Sequence, residues 1–327
     1  MCTRAVYLGP DGMVVTTRSM DWDTDMPTTL WVLPRGIARN GAAGPASLTW
    51  TSRHGSVAAV VWGAVAADGL NEHGLSANLL YLAESQYPSP AQSGDLPTMC
   101  VAGWTQYCLD MFATVAEAVE AMQSPPFVVR PVMTPDGQPG TAHLSLSDAS
   151  GDSAIFEYID GELVVHHGRE YQVMTNSPTF DRQLAIEAYW REVGGDQMLP
   201  GTDRAADRFA RAAFYMDAVT KTADADEAVA IGFSVIRNAS VPIGISTPGQ
   251  PNVASTRWRT VSDHPGKRYF YESVRYPNVF WTEMADLDLR EGAPAMVLDV
   301  SDINDLSGNT AGRFTPAEPY AFLPTSA

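Results

Sequence analysis

The side chain with the most chemical potential stands second in the chain. Cys2 follows Met1, and trimming an initiator methionine before a small side chain would leave a cysteine bearing both a thiol and a free α-amine. Ordinary pKa values of about 7.7–8.0 for the amine and about 8.5 for the thiol let the amine accept the thiol proton near neutral pH. Nucleophile and base then share one residue, the N-terminal form of nucleophile activation. The apolar, β-branched run Met13–Thr17 predicts a strand that carries Arg18 and Asp21 at its far end. Taken alone, Cys2 reads more simply as a small buried hydrophobe. The rest of the chain changes that reading.

The 327 residues are 45% hydrophobic and 18% charged, with a formal net charge of −17. This length suits one large α+β domain over 1–327 with an extensive core. An acidic balance argues against nucleic-acid backbones and anionic membranes, both of which need a basic footprint. It fits a soluble enzyme or binding protein acting on a small molecule. Cys100 and Cys108 both fall in the predicted helix Thr98–Phe112, where their spacing gives about 12 Å of rise, too far for a disulfide. No run of apolar residues reaches membrane-spanning length. A leader before Cys2 would place the protein in the periplasm; otherwise the cytoplasm is expected.

The elements that must position these groups follow in order. Val6–Leu8 and Met13–Thr17 flank Gly9-Pro10-Asp11-Gly12, a hairpin signal. Thr29–Pro34, Leu48–Thr51 and Val57–Ala64 read as strands, Asp68–Gly74 as a turn and Leu75–Leu82 as another strand. Ser85–Asp95 is a Pro- and Ser-rich loop. Thr98–Phe112 and a capped segment from Thr114 to Met122 predict two helices. Strands follow at His143–Ser147, Ser153–Tyr158, Glu162–Val165 and Tyr171–Thr175, then helices at Ala205–Thr220 and Asp224–Asn238. Thr256–Ser262 and Arg268–Val274 form a second hairpin, followed by short apolar pieces and a loop-like tail from about 308. Hairpin-linked strands with segregated helices predict two antiparallel sheets sandwiched between helices.

Several chemistries are excluded. The chain has no phosphate-binding glycine loop, no Gly-x-Gly-x-x-Gly after a strand, no Gly-x-Ser-x-Gly elbow and no zinc-ligand spacing. The six histidines are scattered except for His166-His167, which a strand would point to opposite faces. No metal or organic cofactor is expected.

Five ordered motifs remain: Met1-Cys2-Thr3; Arg18-x-Met20-Asp21; Gly69-Leu70-Asn71-Glu72-x-Gly74-Leu75; Thr175-Asn176-Ser177-Pro178-Thr179-Phe180-Asp181; and Leu199-Pro200-Gly201 through Arg208-Phe209-x-Arg211. Together they closely resemble the choloylglycine hydrolase family of N-terminal-nucleophile hydrolases, which includes penicillin V acylases and conjugated bile salt hydrolases. The resemblance implies the αββα four-layer fold and the loss of Met1 by processing. It implies Cys2 as nucleophile, Arg18 and Asp21 as its holders, Asn176 as oxyanion-hole amide and Arg208 as an active-site arginine. Tyr81 falls where bile salt hydrolases generally carry asparagine and penicillin V acylases tyrosine, and would supply an aromatic wall.

Two further features refine the likeness. The segment 181–199 lacks the long insertion that in many relatives buttresses a tetramer, although a homo-oligomer is still implied. Leu30–Gly36 and Ser246–Asn252 resemble the Gram-negative branch, whose members act on penicillin V and long-chain N-acyl homoserine lactones, the latter a quorum-quenching activity. That branch places tryptophans near the acyl group; here the candidates are Trp22, Tyr87 and Trp62. The expected function is therefore amide hydrolysis through a thioester on Cys2, with penicillin V or an acyl homoserine lactone as substrate. The rivals are a conjugated bile salt hydrolase and, if Met1 stays in place, a non-catalytic acyl-ligand binder.

Overall fold

A computed structural model describes residues 2–194, 197–248, 250–301 and 304–325. Met1 lies outside them, and with it the expected freeing of the Cys2 amine; Gly249 of the 246–252 stretch does too. Two large sheets form the centre. The first runs Val173–Met174, Cys2–Leu8, Val14–Asp21, Thr256–Asp263, Arg268–Ser273, Val279–Glu283 and Gly308–Asn309, antiparallel except at its last pair. The second orders nine strands from Glu162–His167 through Ser76–Tyr81 and Ser56–Val61 to Thr315–Pro316. Helices Ala205–Ala218 and Ala225–Asn238 cover the first sheet, and Trp104–Met111 and Val115–Gln123 cover the second. This is the αββα sandwich that the strand and helix order predicts.

Central strands in such a stack are covered on both faces, so they lose the usual polar–apolar alternation. Ser56–Val61 is buried at every position. Val14–Asp21 is buried throughout as well, yet five of its eight residues are polar or charged. Buried polar groups must find partners, and strand alternation decides where each looks. Thr16, Arg18 and Met20 point between the sheets, where Thr16 Oγ1 lies 2.7 Å from Ser147 Oγ and Arg18 donates to the Leu79 carbonyl. Asp21 points the other way, toward the Ala205–Ala218 helix. One strand thus serves both sides of the sheet.

The Asp11-Gly12 turn closes the first hairpin with both residues at positive φ, 53° and 78°, the geometry that an Asp-Gly pair supplies. Other expectations are corrected. Asp68–Asn71 is the end of strand Val65–Asn71 rather than a turn, and Gly69 is needed there for clearance. A Cβ at Gly69 would lie 2.6 Å from Leu109 and 2.7 Å from the Val57 carbonyl. Thr98–Cys100 is a strand, and the helix begins only at Trp104. The cysteines therefore do not share a helix, although all three are unpaired thiols. Helix Phe180–Gly194 was not foreseen: its apolar face is weak and only Phe180 and Gln183 are buried. The tail is pinned rather than loose, because Tyr320 and Phe322 are buried against Trp31 and Trp50.

Candidate active site

Cys2 opens the edge-proximal strand of the first sheet and pairs with Met20 on the neighbouring one. Its Sγ points between the sheets, 3.6 Å from Arg18 Nη2 and 3.6 Å from Met20 Sδ. Arg18 is held there by the Leu79 carbonyl at 3.0 Å and by the Trp258 ring, whose centroid is 4.5 Å from the guanidinium carbon. Its counter-ion is Asp68, at 3.8 Å from Nη1, with both side chains fully buried. Asp68 in turn accepts from Tyr269 Oη and Asn78 Nδ2, each at 2.6 Å, and from Thr260 Oγ1 at 3.2 Å. Burial pushes the Asp68 carboxyl up, opposed by Arg18 and these three donors.

The nitrogen of Cys2 faces the other half of the site. It donates to Asn176 Oδ1, which also accepts from Arg208 Nη2 at 3.3 Å. With two donors on its oxygen, Asn176 turns its amide nitrogen to the Tyr81 carbonyl at 2.5 Å. One of the two Nδ2 hydrogens remains for another acceptor. Arg208 Nη1 donates to Asp21 Oδ2 at 2.9 Å and to Thr3 Oγ1 at 2.6 Å, while Asp21 Oδ1 accepts from Thr256 Oγ1 at 2.6 Å. Desolvation lowers Arg208 from the ordinary arginine value, and Asp21 pulls it back up. Arg18, Arg208, Asp21 and Asp68 are all fully buried. Two positive and two negative charges balance around one thiol.

The structure brings Cys2, Arg18, Asp21, Asn176 and Arg208 into one contiguous network. Arg208 and Arg211 are not a solvated helix face. Arg211 donates to the carbonyls of Pro200 and Thr202, which explains why the Leu199-Pro200-Gly201 motif precedes it. Asn176 is set by a layer beneath: His143 bridges Glu157 and the Thr175 carbonyl, and Gln183 donates to the carbonyls of Asn176 and Pro178. Sequence reasoning missed Asp68, Asp136, His143, Glu157 and Gln183. Asp68 and Asn71 stand inside or beside a noted motif, which is the signal that could have found Asp68.

The thiol opens onto an apolar cavity of about 80 Å³. Trp22, Trp62 and Tyr81 form one wall. Trp22 meets Trp62 and Tyr81 edge-on at centroid distances of 5.9 and 5.8 Å. Met20, Val61, Val65, Leu79 and Val132 complete the aliphatic side. Trp22 is fixed by its indole N–H, which donates to Asp136 at 2.7 Å; Thr24 and Thr134 hold the same carboxylate at 2.9 and 2.5 Å. Those hydrogen bonds hold Asp136 below the usual carboxylate range, against the opposing effect of burial. Tyr87 is placed differently from the expectation. Its hydroxyl is tied to the Ala142 carbonyl and amide at 3.2 and 3.0 Å, so it braces the wall from behind, where the ring packs on Tyr158.

Comparison with known proteins agrees with this geometry. Residues 2–307 match the family described as linear amide C–N hydrolases, choloylglycine hydrolase family. A penicillin V acylase of Pectobacterium atrosepticum is 49% identical over 98% of this chain and 92% of its own. A bile salt hydrolase/transferase of Clostridium perfringens is 28% identical over 73% of this chain and 78% of its own. Among solved structures, penicillin V acylase from Agrobacterium tumefaciens superposes with TM-score 0.91 at 53% identity, over 99% of this chain and all of that one. A conjugated bile acid hydrolase from Clostridium perfringens shares the fold, with TM-score 0.77 at 21% identity over 94% of this chain and 98% of that one.

Proposed function

Because the chain belongs to the choloylglycine hydrolase family of linear amide C–N hydrolases, we propose that it cleaves the side-chain amide of penicillin V with Cys2 as nucleophile. One observation carries the reading: Cys2 turns its sulfur toward an aromatic cavity and its nitrogen toward a polar network. Once Met1 is removed, the amine takes the thiol proton, and Arg18 stabilises the thiolate. The proton moves within one residue, so the transfer leaves the net charge of the site unchanged.

The thiolate adds to the acyl carbonyl carbon, and the carbonyl electrons move onto oxygen. The second Asn176 Nδ2 hydrogen, with a backbone N–H, stabilises that oxyanion. Collapse breaks the C–N bond, and the leaving amine takes its proton from the Cys2 ammonium. Water, deprotonated by the same amine, then releases the acid from the thioester. Asp21 keeps Arg208 on Asn176 and so keeps the amide oriented.

An aryloxyacyl group suits the edge-on aromatic wall of Trp22, Trp62 and Tyr81. A second reading, a long-chain N-acyl homoserine lactone, draws on the aliphatic side made by Val61, Val65, Leu79 and Val132. Bile salts fit less well, since Tyr81 offers a ring where their hydrolysis would use an amide. A homo-oligomer belongs to the same proposal, and light scattering after size-exclusion chromatography tests it. Substrate choice is tested by primary-amine release from penicillin V, a long-chain acyl homoserine lactone and glycocholate at matched concentration. Release from either of the first two with glycocholate idle supports the proposal; preference for glycocholate overturns it.

A further inference from the structure

A second group of chemistry-bearing side chains lies at the far end of the strand Val65–Asn71. Val65 and Ala67 line the acyl cavity, whereas Glu72 and His73 follow the other end of that strand. Antiparallel pairing of Ser56 with Asn71 brings His54 beside them, so residues distant in sequence become neighbours. The two imidazole centroids are 4.4 Å apart at an interplanar angle of 75°. One ligand atom from each of His54, Glu72 and His73 lies within 4.8 Å of the others. The sequence reading of scattered histidines is corrected here.

The hydrogen bonding of these side chains is unlike that of the other polar clusters. His143 and His264 use both ring nitrogens, to Glu157 and Thr175 and to Thr16 and Gly74. Neither the His54 nor the His73 ring bonds to any described residue. Glu72 is the fixed member: Arg35 grips it with two N–H groups at 2.8 and 2.7 Å, and the Gly55 amide donates at 2.7 Å. A carboxylate offers about four lone-pair sites, so one remains. Two imidazoles and one carboxylate form a tetrahedral zinc donor set, completed by water.

We propose that His54, His73 and Glu72 bind one divalent transition-metal ion, zinc by preference, as a structural clip. It would pin the loop before Ser56–Val61 to the turn before Ser76–Tyr81. This inference does not depend on the amidase reading, because the cluster and the thiol sit at opposite ends of the strand Val65–Asn71.

The test is zinc titration by calorimetry on untagged protein carrying Cys2→Ala, which removes the active-site thiol. Burial pushes Cys100 up to about 12 and raises Cys108 too, so neither competes as a thiolate. The expected result is one zinc per chain and a higher melting temperature on zinc addition. Adding His54→Gln or His73→Gln should each weaken binding about tenfold or more and abolish the melting shift. Melting in EDTA, close to that of the parent, shows that the variants fold. Absence of zinc binding in the parent, or unchanged binding in either histidine variant, overturns the proposal.

Discussion

Among the described residues, two buried arginine–aspartate clusters can be compared, and the first of them opens onto a cavity. In the first, Arg18 and Arg208 face Asp68 and Asp21 around the Cys2 thiol. In the second, Arg39 lies 3.6 Å from Asp110, whose carboxylate also accepts from Trp50 at 2.8 Å and Gln106 at 2.7 Å. Tyr320 and Phe322 close over the Arg39 guanidinium, with ring centroids 5.1 and 5.6 Å away. Burial pushes Asp110 up to about 6, against the pull of Arg39. Perturbed ionisable groups occur in both clusters, so they alone do not separate the two. What separates the two is a thiol at a strand terminus and an apolar space beside it. Buried charge is a cost that both clusters carry; in the first it surrounds a thiol.

Substitutions should therefore divide cleanly between the clusters. Cys2→Ala should lower turnover on the order of 10⁴-fold or more, with melting little changed. Wild-type turnover in that variant would break the comparison at its root. Arg39→Met should do the reverse. It leaves the Asp110 carboxylate without its cation and should cost about 3–5 kcal/mol in urea unfolding, while folded enzyme keeps its kcat. A fall in kcat without loss of stability would make the second cluster functional.

Asp68→Asn sharpens the contrast within the first cluster. Losing the carboxylate leaves Arg18 without a counter-ion, so the thiolate is favoured and the acidic limb of the pH–rate profile moves to lower pH. Poorer orientation of Arg18 should lower kcat by about tenfold, the lower end for a displaced catalytic group. A profile that stays in place would reduce Asp68 to packing. For the cavity, Trp62→Ala should raise KM for penicillin V about tenfold with kcat nearly kept, the scale of a lost apolar contact. Tyr81→Asn should shift preference toward glycine-conjugated bile acids, and an unchanged substrate ratio would remove Tyr81 as a determinant.

A further effect concerns His264, which lies outside both clusters. Burial pushes it down to about 4, and Thr16 and Gly74 hold its ring. Its folded pKa lies below the unfolded value of about 6.5, so the unfolded chain binds more protons between those two values. The stability it contributes is complete above about 6.5 and fades as pH falls toward 4, by up to about 3 kcal/mol. Asp110, raised to about 6, acts in the opposite sense below that pH. The stability difference between wild type and His264→Gln should thus shrink from pH 7 to pH 5 in urea titrations. A constant difference would show the ring to be protonated or solvated.

The candidate catalytic positions come from the family resemblance, and strand geometry accounts for the placing of two of them. Arg18 and Asp21 follow a β-branched run, and alternation sends them to opposite faces of the sheet. Charge burial was not legible. At Arg208 and Arg211 nothing in helical spacing distinguishes a guanidinium facing water from one satisfied by Asp21 or by loop carbonyls. The turn read at Asp68–Gly74 is present only in its last residues, because Asp68–Asn71 stays in the strand, where Gly69 serves the packing of Leu109 rather than a reversal of the chain. Helix Phe180–Gly194 escaped because it buries too little to impose a clear apolar stripe. The His54–His73 pair was invisible, since only the register of Ser56 against Asn71 brings the rings together.

The account rests on Cys2 as an N-terminal nucleophile, and one experiment addresses that directly. Wild-type enzyme turning over penicillin V is quenched in acid, and its intact and peptide masses are measured. The expected result is a chain lacking Met1, with a phenoxyacetyl increment on the peptide that begins at Cys2 and nowhere else. Rapid turnover by a chain that retains Met1, or an acyl group on any other residue, would contradict it.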